Sequence, residues 1–363
     1  MCIIIVGDSM DIFYFNELGE YDKYNPSFYL DRKNAKDIIK YIGRNPYQYS
    51  VEDLYDIIDL TKEEINFIID GLILIEAINK KDDKLKVNFP TFYEEDIKII
   101  IEVINKYISN ITNKLKPFLN NLNYDKETLY HLVCNDVFDN YAFDYLVEKN
   151  ILTNIKNNIG NRNYIIIGYE KSEFIDNYSN KLLCSNNRYN CGRITFNSFG
   201  DTNGFRNDFF RYFRLRQMNI ILSKDIDNFY KINNENELVF KKKLENTVLN
   251  NNIDNDAIHL LNKLSYYKDN KINVPIIKKK EHLLFSKEMM DLIYDDIDNI
   301  FLDLFKVNLT PNINEVPNKD SANEMWHIIF GLINEELIKE GIVAKPISYN
   351  DQGRYLKCIY IED

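Results

Sequence analysis

Cysteine and histidine are sparse in this sequence, and long apolar runs are missing altogether. The five cysteines (Cys2, Cys134, Cys184, Cys191, Cys358) are odd in number and scattered, which argues against a disulfide framework and fits a reduced cytoplasm. Cys184 and Cys191 stand seven apart without a second pair, and the four histidines (His131, His259, His282, His327) are dispersed, so zinc-site spacing is absent. Glu324 and His327 share a helix face at i,i+3, which a surface contact explains better than a metal. The apolar start Met1–Val6 stops at Gly7-Asp8, short of a signal peptide, and no later run reaches membrane-spanning length. No G-x-S-x-G elbow or G-x-G-x-x-G fingerprint occurs, and Gly200-Asp201-Thr202-Asn203-Gly204 lacks the Lys-Ser/Thr of a phosphate loop. No metal, cofactor or membrane partner is expected, and the balance leans away from an enzyme.

What is present is a large, acidic, aromatic chain. Its 363 residues suffice for two or three domains, and 45% hydrophobic content excludes wholesale disorder. A net charge of -11 argues against a basic nucleic-acid coat protein but leaves room for a local basic surface.

One layout recurs three times: a helix, an apolar-x-x-x-x-Ile exit, then an extended pair. The exits are Ile73–Ile78, Leu146–Ile151 and Leu337–Ile342. The first leads into a hairpin pattern over Ile78–Asn88. Upstream, a helix starting at Asp31 carries Ile38, Ile39, Tyr41 and Ile42. Ser50 caps a second helix with Leu54, Ile57 and Ile58 facing inward. Thr61, with Glu64 three residues on, opens a third helix whose core face is Ile65, Ile68, Ile69, Leu72 and Ile75.

These stretches (Ser50-Val51-Glu52-Asp53-Leu54, Leu60-Thr61-Lys62-Glu63-Glu64-Ile65, Leu72, Leu74-Ile75, Ile78) resemble the bacterial winged helix-turn-helix transcription regulators of the ArsR/MarR-like type, over about residues 31–92. The resemblance implies a cytoplasmic, dimeric DNA-binding regulator. Its contacts would come from Thr61, Lys62 and Asn66 on the third helix and Lys80, Lys81, Lys84 and Lys86 on the wing. The third helix departs from that pattern, showing Glu63, Glu64, Asp70 and Glu76 and no arginine. Residues 31–90 hold 10 Lys+Arg against 12 Asp+Glu, a net of -2. A winged helix that binds protein instead of DNA is the rival reading.

The fold class read from these patterns is α+β, mainly α. An N-terminal arm and winged helix (1–92) precede a long linking helix (93–122), in which Ile97, Ile100, Ile101, Ile104, Ile108, Ile111 and Leu115 form a stripe ended or bent at Pro117. A second winged-helix-like or mixed domain (123–236) and a helical domain ending in a hairpin (237–363) follow. That hairpin pairs Ile342–Lys345 with Leu356–Ile361, and the stretch 237–280 reads as polar. Six of ten arginines (Arg188, Arg193, Arg206, Arg211, Arg214, Arg216) crowd into residues 188–216 among aromatic rings, with only Asp201 and Asp208 opposing them. Such forks bind phosphate or carboxylate, so this segment is a candidate anion site for an acidic effector, nucleic acid or a phosphorylated substrate. The competing explanation is that these arginines neutralise the protein's own acids.

Overall fold

The computed structural model describes residues 10–32, 34–153, 160, 162–178, 181–201, 206–210, 234–250, 253–278, 282–316, 318–349 and 352–362. They form a mixed α/β protein that is mainly helical. The chain divides into two compact units interleaved along the sequence. Unit 1 is Met1–Lys106, Leu146–Ser179 and Asp298–Trp326; unit 2 is Tyr107–Tyr145, Asn180–Ile297 and His327–Asp363.

Unit 1 opens with β1 (Met10–Glu17), α1 (Ser27–Leu30), α2 (Ala35–Arg44), α3 (Val51–Tyr55), α4 (Lys62–Leu74), the hairpin β2 (Ile78–Lys81) and β3 (Lys84–Val87), and β4 (Thr91–Phe92). Helix α5 (Glu94–Asn120) begins in unit 1 and ends in unit 2, followed by α6 (Lys126–Tyr130), a π-helix (His131–Tyr141) and α7 (Ala142–Glu148). Strand β5 (Asn163–Glu170) and α8 (Glu173–Tyr178) belong to unit 1. Unit 2 resumes with β6 (Ser185–Cys191), β7 (Ile194–Gly200), α9 (Asn234–Val248), α10 (Asn255–Lys263), the hairpin β8 (Tyr267–Lys268) and β9 (Lys271–Ile272), β10 (Ile276–Lys278) and α11 (His282–Asp291). Helices α12 (Tyr294–Leu304), α13 (Pro311–Glu315) and α14 (Asn318–Lys339) lead through unit 1, and β11 (Ile347–Tyr349) and β12 (Gly353–Ile361) complete unit 2.

In unit 1, capping boxes start the two short-spaced helices. Ser50 Oγ accepts from the Asp53 amide while Asp53 takes the Ser50 amide, and Thr61 and Glu64 do the same for α4. Ile65, Ile68, Ile69, Leu72 and Ile75 are all buried, as their spacing predicts. Leu54 and Ile58 are buried too, but Ile57 is 38% exposed, because the five-residue α3 ends before it. The helix expected from Asp31 starts at Ala35, after Asn34 takes a left-handed φ of 60° that breaks continuity with α1. The Tyr47 amide donates to Leu85 and the Leu85 amide to Tyr49, so residues 47–49 run beside β3. A separate sheet has the order β1-β5-β4, with β1 antiparallel and β4 parallel to β5. The seven apolar residues of the α5 stripe are buried. The helix continues to Asn120, so Pro117 costs one backbone bond in the last turn without ending it.

The recurring exits have one geometry. The Ala77 amide donates to Leu72 and the Glu76 amide to Ile73, with Glu76 left-handed at φ 56°. Ile151 to Leu146, Tyr266 to Leu261 and Ile342 to Leu337 repeat the long bond, with Asn150, Ser265 and Gly341 left-handed. Each is a Schellman closure whose third-from-last helical residue is a buried leucine. The first exit therefore sits one residue earlier than its sequence pattern suggests, and the one at Leu261–Tyr266 departs from the apolar-x-x-x-x-Ile pattern because it ends in tyrosine. It lies in the stretch read as polar, which holds α9, α10 and β8–β10. Asp82 and Asp83, like Asp269 and Asn270, take positive φ as two-residue hairpin turns. Asn88 and Asn273 close the two hairpins by donating to Ala77 and Tyr266. Thus α4–β2–β3 and α10–β8–β9 are two versions of one module. After α7 the chain reaches β5, whose partners are β1 and β4.

Unit 2 is built on a sheet of order β10-β12-β7-β6, with β11 beside β12. The terminal hairpin differs from expectation. Ile347–Tyr349 pairs with Gly353–Tyr355, whereas Leu356–Ile361 pairs with β7, because the Gly341 exit buries Ile342 and Val343 before any strand begins. One face of the sheet packs Tyr189, Ile194 and Phe196 against Phe209, α9 and α10. The other meets the π-helix, where buried Asn135 donates to the Tyr360 hydroxyl and accepts from Asn186 and Arg188.

Two outcomes follow from this packing. A Cβ on Gly71 would lie 2.0 Å from the Tyr29 ring. Gly71→Ala should therefore cost about 3 kcal/mol in overpacking against ~1 kcal/mol gained in helix propensity, a net loss of about 2 kcal/mol. Urea unfolding checks it, and a neutral or stabilised variant would contradict the contact. Burial also pushes the His131 imidazole down from 6.5 to about 3. The unfolded chain then binds the extra proton, so stability should fall by about tenfold per pH unit as pH drops from 6.5 towards 3. His131→Phe should flatten that part of the pH–stability curve.

Candidate functional site

The residues singled out for DNA contact all lie on the module α3–α4–β2–β3, and most are engaged with neighbours. Thr61 spends its hydroxyl in the cap: it accepts from the Glu64 amide at 3.2 Å and donates to the Glu64 carboxylate at 2.9 Å. Lys62 Nζ lies 4.9 Å from the Tyr55 ring centroid, and the Tyr55 hydroxyl donates to Asn66 Oδ1 at 2.8 Å. On the hairpin, Lys80 pairs with Asp83 at 2.8 Å and Lys84 with Asp53 at 2.9 Å. Lys86 stands 5.7 Å from the Tyr47 ring, and Lys81 is exposed. Asp83 raises the Lys80 pKa through a hydrogen bond and its charge, and Lys80 lowers that of Asp83 in return. The Ser50 amide, then Lys84, hold the Asp53 carboxyl well below the usual carboxylate range.

The surface that α4 leaves open has a different character. Side chains at 63, 67, 70 and 74 fall within one narrow arc of the helix, giving a ridge Glu63, Phe67, Asp70, Leu74. Phe67 is 45% and Leu74 44% exposed, and Ile73 borders them. Phe67, Ile73 and Leu74 are apolar beyond what the buried stripe of Ile65, Ile68, Ile69, Leu72 and Ile75 needs, a surplus visible in the sequence. At the start of the ridge a cavity of about 900 Å³ is lined by Arg32, Asp59, Leu60, Thr61, Glu63, Glu64, Phe67 and Ile68. The Arg32 guanidinium lies over Phe67 at 4.5 Å and Phe28 at 5.0 Å, with Nε donating to the Phe28 carbonyl. Phe67 also packs on Tyr29 at 5.6 Å.

The arginine segment does not assemble into one site among the described residues. Arg188 on β6 donates to Asn135 Oδ1 at 3.0 Å and Asn140 Oδ1 at 2.7 Å, on the π-helix face of the sheet. Arg206 is 4% exposed and donates to the Ser198 and Asp201 carbonyls beside Asp208, at the opposite face. Burial lowers its pKa against the pull of Asp208 and Asp201. Arg193 is exposed in the β6–β7 turn, and its amide donates to Glu245. Arg211, Arg214 and Arg216 lie outside the described residues. Among the described residues no group of three or more His, Cys, Asp or Glu is placed to hold a metal ion, and no helix is long and apolar enough to cross a membrane. Comparison with protein-family models, curated proteins and solved structures finds no match to this chain.

The Asp53–Lys84 link ties α3 to the hairpin and is open to direct test. An NMR titration should place the Asp53 midpoint below 3.8, and Lys84→Ala should move it upward. A midpoint unmoved by that substitution would remove the link.

Proposed function

We propose that residues 35–87 form a winged helix, and that it serves as a protein-docking module in an interaction protein. The order helix, extended segment, two helices and hairpin supports the first half. The second half is carried by one observation: the exposed ridge of α4 alternates carboxylates with large apolar side chains. A helix entering the major groove faces a dense array of phosphates and needs cations or amides pointing outward. Glu63 and Asp70 on such a helix would be repelled. Phe67 and Leu74, each a little under half exposed, forgo burial worth roughly 0.7–1.3 kcal/mol each, which a protein partner recovers.

DNA binding by a transcription regulator is the second reading, favoured by the hairpin lysines, of which Lys81 is exposed. Its contacts would be phosphate contacts, weak and steeply salt-dependent.

One pair of measurements separates these. Affinity capture should recover a partner with the parent chain that is lost with Phe67→Ser/Leu74→Ser, while circular dichroism stays unchanged. Electrophoresis with genomic DNA fragments should show no retardation even at low salt. Retardation abolished by Lys80→Ala/Lys81→Ala/Lys84→Ala/Lys86→Ala, with no partner dependent on Phe67 and Leu74, would overturn the docking role.

A further inference from the structure

The docking role says that a protein binds; the chemistry of the ridge says which kind. From the order of side chains on α4 we infer that the occupant is a basic amphipathic helix of a partner protein, with Lys or Arg interleaved among large apolar residues. This inference rests on the docking reading above.

Three features point the same way. First, the ridge reads acid, apolar, acid, apolar at Glu63, Phe67, Asp70 and Leu74, steps of four, three and four residues. Those are the steps at which a second helix presents its own neighbouring side chains, so a partner with cations and apolar groups at the same spacing meets each position with its complement. Second, the cavity at the head of the ridge holds one cation, Arg32, against three carboxylates, Asp59, Glu63 and Glu64. Exposed Asp56 adds a further negative charge on the neighbouring α3 exit. Third, the cavity has a hydrophobic lining of Leu60, Phe67 and Ile68, and its volume of about 900 Å³ admits a large apolar side chain.

Arg32 does not reverse the sign of the field. Its guanidinium lies over the Phe28 and Phe67 rings, where it holds the Phe67 ring in place. An acidic partner helix would set carboxylates against Glu63 and Asp70 and be repelled. A purely apolar one would leave both acids under a dry interface without a partner, which costs more than their contacts return.

The test uses two synthetic helical peptides with one apolar pattern, one bearing lysine at its polar contact positions and the other glutamate, titrated by fluorescence anisotropy into the full chain. The lysine peptide should bind at least about tenfold more tightly, and Phe67→Ser/Leu74→Ser should weaken it by about tenfold or more. Glu63→Lys/Asp70→Lys should invert the preference between the peptides. Equal binding of both peptides, preference for glutamate, or indifference to these substitutions would overturn the inference. If that happens while a captured partner still depends on Phe67 and Leu74, the docking reading survives and only the partner's chemistry is wrong. Loss of both results removes the two together.

Discussion

The closure at the end of α4 is the constraint on which the module depends. A left-handed Glu76 costs about 1–2 kcal/mol relative to a right-handed residue. Two backbone hydrogen bonds, from Ala77 to Leu72 and from Glu76 to Ile73, offset it at about 0.5–1.5 kcal/mol each. Burial of Leu72 beside Ala77 decides the sign. With that turn fixed, β2 leaves α4 in one direction only. The two-residue turn at Asp82 and Asp83 then sets the register of β3, and the buried faces of both strands align with the helix. The same solution appears at α10, where Ser265 replaces Glu76 and the hairpin has shrunk to two residues a side.

A module locked from beneath leaves little choice about what α4 offers to its surroundings. Its inward stripe is filled by isoleucine and leucine, and Gly71 lets Tyr29 approach the backbone from one flank. Tyr55 occupies the other flank, holding Lys62 and Asn66. Only the ridge from Glu63 to Leu74 remains, and it is acidic and apolar. Two of the four hairpin lysines that resemble a DNA-binding wing, Lys80 and Lys84, are drawn into ion pairs at Asp83 and Asp53. Their cost of release adds to the repulsion a phosphate backbone would meet from Glu63 and Asp70.

Much of this architecture was legible from local pattern. Ser50 and Thr61 announced their helices through the acid three residues on, and the α5 stripe was readable from spacing alone. What local pattern missed was set by long-range pairing or by context. The sequence cannot say that Leu356–Ile361 prefers β7 to its nearer neighbour, or that the run after α7 joins β1. Ile57 was assigned inward because apolar spacing cannot see that α3 stops at Tyr55. The arginine cluster was visible as composition, but Arg188 stands on strand β6 and bonds to the π-helix, whereas Arg206 lies beyond the end of β7 and is buried on the Ser198 and Asp201 carbonyls, and composition carries no information about such placement. The α4 ridge was missed for the opposite reason: Phe67, Ile73 and Leu74 lie off the core stripe of Ile65, Ile68, Ile69, Leu72 and Ile75, and a reading for the core gave them no role.

Amide hydrogen exchange at Ala77 and Asn88 tests this account most directly, since both protons are held only by the helix exit and the hairpin closure. Both amides should exchange about as slowly as those of Ile68 and Ile69 in the middle of α4. Fast exchange at Ala77, with the centre of α4 still protected, would mean that the hairpin is not fixed to the helix, and the ridge would lose the rigid frame that makes it a recognition surface.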